Sequence, residues 1–320
     1  MTAVATPEAA VRSIPKPRVP LNTKIRIGLV MLAGFLVLAV SRPILAHTLW
    51  RGQWLVYQPV SGWDATITHP AGISVRHLLG TDSYGRDVFS MFSHSTWPTL
   101  QVALSAALVA GIVSTAFAAI SAYRRGPIDG ALTHLADALV LLPPPIALFI
   151  IGVSAPWLQP PILGALYGLL FGLSTAALVL RSQALVVMAK PFMEAARTAG
   201  GSGWWLIRVH VLPHLLPMTA VQMMAAVTGA VITFGFLEFT GAGGDWFGYG
   251  SLIYTGLPSP GLVPRDYAWN ALIAGGLGIT MLCGAFYLIS VGLREAVDPE
   301  LLAARARFGK TSRWRRMGGY

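Results

Sequence analysis

Few residues of this chain have the types and the spacing that bond-making chemistry requires. His210 and His214 are four residues apart, which on a helix would let two imidazoles share a metal ion, but Pro213 lies between them and no third ligand is near. The glycine clusters at 200–203 and 241–250 lack the Lys-Ser/Thr pair of a phosphate-binding loop, and the sequence has no HExxH or GxSxG motif. We therefore predict no catalytic residue, no metal site and no cofactor in this chain.

The most informative segment runs from residue 190 to residue 213 and is called the EAA segment below. It contains a helical stretch beginning at Glu194, a glycine break at 200–203, and a second helical stretch that Pro213 would stop. Glutamate suits the positive end of a helix, and Gly200 could take the left-handed conformation that ends one. The segment is either an amphipathic loop on lipid or a helix-turn-helix that docks into a partner.

The elements around this segment are strongly apolar. Of the 320 residues, 54% are hydrophobic and 11% are charged, whereas soluble domains carry about 25% charged residues. The 23 Lys and Arg outnumber the 13 Asp and Glu, but they lie in the gaps between apolar runs rather than on one folded basic face. This pattern excludes an ordinary soluble enzyme and a nucleic-acid binder, and it indicates an integral membrane protein in contact with lipid.

The apolar runs predict an all-α membrane protein with six transmembrane helices. A span needs about 20 apolar residues and must satisfy its own backbone hydrogen bonds, which favours helices. The predicted spans are 25–46, 99–122, 135–154, 162–181, 216–238 and 268–292. The first could also be a cleaved signal peptide, but the long segment before it favours retention.

The distribution of basic residues predicts the orientation. With both termini inside, 18 Lys and Arg residues fall on the cytoplasmic side and 5 on the other side. Because cytoplasmic loops carry the excess of Lys and Arg, we predict an N-in, C-in topology.

This topology divides the chain into four parts. They are a cytoplasmic basic tail (1–24), a first transmembrane helix with an extracytoplasmic loop (25–96), a core of five transmembrane helices with a cytoplasmic loop at about 182–212 (97–293), and a second cytoplasmic basic tail (294–320).

Smaller signals lie within the predicted spans. Gly164, Gly168 and Gly172 form two GxxxG steps, which favour close helix packing, although glycine is common in membrane helices generally. Three residues of the fifth span are candidates for lining a transport pathway, with packing as the more frequent role: Gln222, Met223 and Thr228. For the ionisable residues Asp137 and Glu238, near span ends, structural and functional roles stay open.

The EAA segment resembles the EAA loop of ABC-type importer permeases. The residues that carry the resemblance are Glu194, Ala195, Ala196, Arg197, Gly200, Ile207, Leu212 and Pro213. The EAARxxG form, followed by RxHxLPxxLP at 208–217, is similar to the dipeptide, oligopeptide and nickel permeases. In that family the loop is a coupling helix that sits in a groove of the cytoplasmic ATPase.

A second motif resembles the LGTDxxGRD segment of the C-type subunit in the same family. It lies in the extracytoplasmic loop, and its residues are Gly80, Thr81, Asp82, Gly85, Arg86 and Asp87. Asp129 and Asp137 also fit the entrance to the third span. The resemblance covers roughly residues 20–295.

Two segments depart from the family pattern. Residues 94–98 read His-Ser-Thr-Trp-Pro where the family has a basic residue and a Gly-x-Arg approach to the second span. Residues 238–243 read Glu-Phe-Thr-Gly-Ala-Gly in place of Ser-Phe-Leu-Gly-Leu-Gly, and the segment 244–250 replaces a proline-rich continuation. Both segments lie toward the predicted outer face, so they bear on the substrate and the binding-protein partner.

The resemblance implies a type I importer permease in the bacterial cytoplasmic membrane, moving di- or oligopeptides by alternating access. It implies a heterodimer with a homologous B-type permease, two cytoplasmic ABC ATPases that bind ATP and Mg, and an extracytoplasmic substrate-binding protein. The same scaffold could instead import nickel chelates, glutathione or glycans. A membrane-embedded lipid enzyme fits less well because the acidic residues are scattered over different loops, and the well-formed EAA segment argues against a non-transporting scaffold.

Overall fold

The computed structural model describes residues 22–48, 54–124, 126–244, 246–258 and 267–297. Within these ranges every regular element is a helix, as the sequence predicts. In chain order they are α1 (Thr23–Thr48), α2 (Trp54–Tyr57), α3 (Val88–Tyr123), α4 (Pro127–Val140), α5 (Pro144–Ser154), α6 (Pro160–Leu173), α7 (Thr175–Met188), α8 (Pro191–Thr198), α9 (Gly203–Leu206), a π-helical turn (Ile207–Val211), α10 (Leu212–Phe239), α11 (Tyr249–Thr255) and α12 (Trp269–Val297). The tails at 1–21 and 298–320 lie outside the described residues.

Four stretches are long and apolar enough to cross a membrane as continuous helices: Thr23–Ser41, Val88–Tyr123, Gly203–Phe239 and Trp269–Glu295. Two helix pairs, α4 with α5 and α6 with α7, meet the same criteria when each pair is taken together. Counting each pair as one span gives the six spans that the sequence predicts.

The third and fourth spans are broken, whereas the sequence predicts one helix for each. The α4 and α5 axes meet at 78°, where Pro143 and Pro144 interrupt the backbone hydrogen bonds. The α6 and α7 axes meet at 43° at Ser174, whose φ of −102° and ψ of −106° leave the helical region. The Ser174 hydroxyl donates to the Leu170 carbonyl at 2.7 Å, in addition to the Ser174 N–H, and side-chain bonds of this kind often bend helices.

The second span begins at Val88, eleven residues before the predicted start at 99. The Asp87 side chain accepts a hydrogen bond from the Ser90 N–H at 2.7 Å and so caps α3. The polar residues that give 88–98 the composition of a loop include Ser95 and Thr96, and both donate to carbonyls four residues earlier. Their polarity is satisfied within the helix, which is why composition alone placed the boundary too late.

The predicted inner loop at 182–212 is also corrected. The fourth span, predicted to end at 181, continues in α7 to Met188, and Arg181 of this helix makes a bidentate ion pair with Asp129 at 2.6 Å. Pro213 does not stop the second stretch, because the helix runs on from Gly203 to Phe239. Proline has no N–H to donate to a carbonyl of the preceding turn. The π-helical turn directly before Pro213 shifts the hydrogen-bond pattern there, and this accommodates the proline.

Helix α3 is at the centre of the bundle and packs most extensively against α6. A Cβ added at Gly164 would lie 2.4 Å from the Val102 carbonyl oxygen, and one at Gly168 would lie 2.5 Å from that of Ala106. The two backbones therefore touch where the glycines lie, which confirms the close-packing interpretation of the GxxxG steps.

Helix α1 packs along α12. An added Cβ at Gly28 would lie 2.6 Å from the Ala285 carbonyl oxygen, and Lys24 forms an ion pair with Glu295. The first and last spans are thus held together at the end where the chain enters α1.

A labelling experiment tests the predicted orientation. In a Cys283→Ala background, we expect Ser61→Cys to react with an impermeant maleimide in intact cells and Ser202→Cys to remain unlabelled, because the basic residues favour the N-in topology. Both serines are exposed, so permeabilised cells should label both variants and serve as the control. Labelling of Ser202→Cys alone in intact cells would show that the topology is inverted.

Candidate functional site

Helix α8 of the EAA segment ends in a well-defined C-terminal cap. Gly200 has a φ of +88°, the Gly201 N–H donates to the Ala196 carbonyl at 3.1 Å, and the Gly200 N–H donates to the Arg197 carbonyl at 3.0 Å. This pair of bonds is the Schellman arrangement, in which a left-handed residue satisfies the last carbonyls of a helix. The predicted left-handed conformation of Gly200 is confirmed.

The chain restarts as a helix after only two more residues. The Ser202 side chain accepts a hydrogen bond from the Trp205 N–H at 3.3 Å and caps α9. Because α9, the π-helical turn and α10 follow without a break, α8 is joined by a short turn to a helix that reaches Phe239.

One face of the EAA segment is buried against the membrane helices. Met193, Leu206 and Ile207 are 0%, 2% and 1% exposed. They pack in one cluster with residues of α3 and α7: Ala118, Ala119, Ala122, Leu180, Ala184, Val187 and Met188. A displacement of α8 would therefore be transmitted directly to α3, α7 and α10.

Aromatic rings attach α8 to the start of α10. The Phe192 ring lies 5.8 Å from that of His210 and 6.0 Å from that of His214, and the Trp205 ring meets His210 edge-on at 5.2 Å. The two histidines thus take part in ring packing. In the described part of the chain, no three His, Cys, Asp or Glu side chains lie close enough together to hold a metal ion.

The opposite face of the segment is open. Glu194, Ala195, Arg197 and Gly200 are exposed, and Gly200 and Trp205 help to line a shallow concavity of about 440 Å³. A Cβ at Gly200 would meet no atom within 4 Å. The predicted coupling residues therefore divide into these four exposed residues and a set that packs against or lies within the membrane helices: Ala196, Ile207, Leu212 and Pro213.

The second predicted motif folds into a tight loop on the other side of the membrane. Asp82 accepts hydrogen bonds from the Tyr84 and Arg86 N–H groups at 3.0 and 2.8 Å and forms an ion pair with the Arg86 guanidinium at 2.6 Å. Gly80 and Gly85 have φ values of +75° and +79°, which explains the glycines. The motif residues are thus brought together, and the hydrogen bonds and the ion pair of Asp82 lie within the loop itself.

The residue that attaches this motif to the last span is not among those that the sequence predicts. The Asn270 side-chain amide, in the first turn of α12, donates to the Leu79 and Thr81 carbonyls at 2.7 and 3.0 Å. The partners are about 190 residues apart, so no local pattern could indicate the contact.

A buried network underlies the outer loop (residues 58–87). His77 is 1% exposed, and its ring nitrogens lie 2.8 Å from Asp87 Oδ1 and 3.2 Å from Asp64 Oδ2. Burial tends to raise the pKa of Asp64, but hydrogen bonds from Thr66 and His77 and the charge of Arg76 outweigh it and lower that pKa to about 2. Burial raises the pKa of Asp87 despite its hydrogen bonds with His77 and Ser90. Asp64 and His77 carried no sequence signal of this role.

We expect Asp64→Asn to loosen the outer loop at neutral pH. The substitution costs roughly 1–3 kcal/mol, because the buried His77 loses one of its two carboxylate partners and the Arg76 guanidinium loses its ion pair. The rate of limited proteolysis of the outer loop in right-side-out vesicles should rise, whereas Thr68→Ala, at an exposed position of the same loop, should leave it unchanged. Equal rates for Asp64→Asn and the unmodified chain would contradict the structural role.

The same network makes the stability of the outer loop depend on pH in the acid range. Because the pKa of Asp64 is lower in the folded protein than its usual 3.8, its contribution to stability is present above about pH 4 and is lost as the pH falls toward 2. Proteolysis with an acid-active protease should accelerate over this window in the unmodified chain and change less in Asp64→Asn.

The proposed pathway residues of the fifth span lie among packed side chains. Gln222 is 6% exposed, and an added Cβ at Gly111 would lie 2.7 Å from the Met223 side chain. The Thr228 carbonyl is 3.7 Å from the Cys283 sulfur. These positions place all three at helix contacts within this chain, and their pathway role stays a prediction.

The ionisable residues near span ends differ in surroundings. Glu238 is 4% exposed at the outer end of α10, where it accepts a hydrogen bond from the Gly250 N–H at 3.3 Å, whereas Asp137 is exposed on α4. A Cβ at Gly248 would lie 2.2 Å from a Glu238 oxygen, so the glycine-rich loop closes tightly around this carboxyl group.

Known transport permeases are similar to this chain over most of its length. Residues 107–303 match the family model for the binding-protein-dependent transport system inner membrane component. A Brucella suis biovar 1 protein described as a peptide transport system permease protein is 30% identical over 287 residues, which cover 86% of this chain and 88% of the relative. The dipeptide transport system permease protein of Bacillus subtilis is 28% identical, over 71% of this chain and 70% of the relative. The glutathione transport system permease protein of Pectobacterium atrosepticum is 25% identical, over 84% and 86%.

Proposed function

This chain belongs to the family of binding-protein-dependent transport system inner membrane components, and we propose that it is the C-type permease subunit of an ATP-driven peptide importer. It is a multi-pass protein of the cytoplasmic membrane. Its relatives described as peptide and dipeptide permeases support peptides as the substrate class.

The observation that carries the coupling role is the two-sided EAA segment. Its solvent-exposed face, with Glu194 and Arg197, is open to a partner, while Met193 and Ile207 are buried among the membrane helices. We propose that cytoplasmic ATPases, which bind ATP and Mg, dock on this open surface. Translocation is then the role of this chain, and hydrolysis is the role of its partners.

The geometry suggests how movement would pass into the membrane. Closure of the ATPases would displace α8, and the cluster around Met193 would carry that displacement to α3, α7 and α10. Since α9 and α10 form one continuous helix, tilting at the EAA segment would reach Phe239 at the outer end. With a homologous B-type permease as the opposite wall, this movement would alternate access between the two faces.

The experiment is uptake by the whole importer. The chain, its B-type partner, both ATPases and the binding protein are reconstituted in proteoliposomes, and ATP-dependent uptake of labelled trialanine is measured. Uptake above that of a complex with hydrolysis-deficient ATPases supports the proposal. Uptake of glutathione but no other peptide would favour the second candidate, a glutathione importer, which the Pectobacterium relative suggests. No uptake of either compound would exclude the proposed substrate class.

A further inference from the structure

The two segments that depart from the family pattern meet in space. His94, Trp97 and Pro98 come from the first segment, and Trp246 and Phe247 come from the second. They line one cavity of about 420 Å³, called the outer aromatic cavity below, together with Gln101 of α3 and residues 159–161 at the start of α6. The segments are about 150 residues apart in sequence, so only the fold brings them together.

The walls of this cavity are held in place. The Trp246 indole N–H donates to the Leu158 carbonyl at 3.1 Å, and the His94 and Phe247 ring centroids are 6.3 Å apart. The Arg86 guanidinium, fixed by its ion pair with Asp82, lies 5.9 Å from the centre of the Phe247 ring. The extracytoplasmic motif therefore supports one wall of the cavity.

The lining chemistry favours an uncharged, ring-bearing group. The described lining residues include aromatic rings, prolines, and the side-chain amides of Gln101 and Gln159, and none of them is Asp, Glu, Lys or Arg. Rings pack well in offset or edge-to-face contact with other rings, and amides can hydrogen-bond a peptide backbone. The volume is at the lower end of the range for small-molecule sites, which suits one large side chain and its adjoining backbone rather than a long peptide.

We propose that the outer aromatic cavity is a selectivity site that receives the aromatic side chain of a peptide as it passes from the binding protein into the permease. This inference rests on the proposed function. It assigns to the two atypical segments a shared role in choosing among peptides, separate from the coupling role of the EAA segment.

The test compares two peptides in the reconstituted importer. The kcat/KM of uptake is measured for Ala-Phe-Ala and for trialanine, with the affinity of the binding protein for each peptide measured separately. In Trp97→Ala and Trp246→Ala, the kcat/KM for Ala-Phe-Ala divided by that for trialanine should fall about tenfold. Trp157→Ala is the matched control, because Trp157 is 75% exposed in the loop before α6 and does not line the cavity.

A second measurement uses the unmodified chain and so does not depend on the folding of any variant. A tripeptide with benzoylphenylalanine at its centre is photolysed with the complete importer, and the attachment sites are mapped. Crosslinks within 94–101, 159–161 or 246–247 are expected, and Ala-Phe-Ala should compete them away more effectively than trialanine.

The outcomes distinguish this inference from the proposed function. If trialanine is transported but the ratio is unchanged in both cavity variants, or the crosslinks fall elsewhere, the selectivity site is wrong and the peptide importer stands. An equal loss of uptake for both peptides in Trp97→Ala, Trp246→Ala and Trp157→Ala would show that these residues are interfacial anchors, and would overturn the inference. If the unmodified importer moves no peptide, the proposed substrate class is wrong, and the selectivity site is overturned with it.

Discussion

Gly200→Val should abolish substrate-stimulated uptake while leaving the chain inserted in the membrane. Gly200 has a φ of +88°, and a side chain with a Cβ in the left-handed region costs roughly 1–2 kcal/mol. Since an added Cβ meets no atom of this chain within 4 Å, the valine would not disturb the membrane helices. It would instead strain the cap of α8 and add bulk to the surface proposed to enter the ATPase.

The measurement combines a pull-down of the ATPases with peptide uptake. Both should fall more than about tenfold in Gly200→Val, while recovery of the B-type permease stays unchanged. Gly126→Val is a matched control, because Gly126 also has a positive φ, of +102°, with no atom within 4 Å of an added Cβ, and it lies outside the EAA segment. If both variants lost uptake equally, backbone strain rather than the docking surface would be responsible.

Glu194→Lys tests the same surface by charge. Glu194 is exposed in the first turn of α8, where its negative charge complements the positive helix end and a lysine would oppose it. We expect reduced ATPase recovery and lost uptake with normal insertion. Normal uptake in both Glu194→Lys and Gly200→Val would mean that the EAA segment is only a lipid-surface element, and the coupling proposal would lose its main support.

Gly168→Val should prevent the bundle from assembling. An added Cβ at Gly168 would lie 2.5 Å from the Ala106 carbonyl oxygen and 3.0 Å from its Cα, so the backbones of α3 and α6 would have to separate. Overpacking of this kind costs about 1–3 kcal/mol or more, and here the obstructing atoms belong to a backbone that cannot rotate away. The amount of folded protein in the membrane should fall by roughly tenfold or more.

The control for this prediction is another glycine within a membrane helix. Gly276 of α12 has no atom within 4 Å of an added Cβ, so Gly276→Val should accumulate normally. Quantitative immunoblotting of membranes, followed by size-exclusion of the detergent extract, measures both variants. Normal amounts and a normal elution profile for Gly168→Val would show that α3 and α6 are not in backbone contact.

The sequence alone determined the features that depend on local composition. The bilayer requires long apolar helices, so the number and approximate positions of the spans follow from the uncharged runs. The cap at Gly200 was also predictable, because a glycine directly after a helical stretch favours the left-handed conformation, and the packing at Gly168 was predictable because Gly164, Gly168 and Gly172 repeat along one helix face. The helix boundaries were less predictable. The start of α3 is polar in composition like a loop, but polar side chains such as Ser95 hydrogen-bond to carbonyls within the helix.

The tertiary structure decided which distant residues meet. Composition contains no signal for the 43° break at Ser174 or for the helix that continues past Pro213, since each depends on how nearby backbone bonds are rearranged. The contact of Asn270 with Leu79 and the meeting of Trp97 with Trp246 join parts of the chain about 150 to 190 residues apart. Helix periodicity reports only neighbours within a few turns, whereas such contacts are set by which helix faces pack together, and that is a property of the folded bundle.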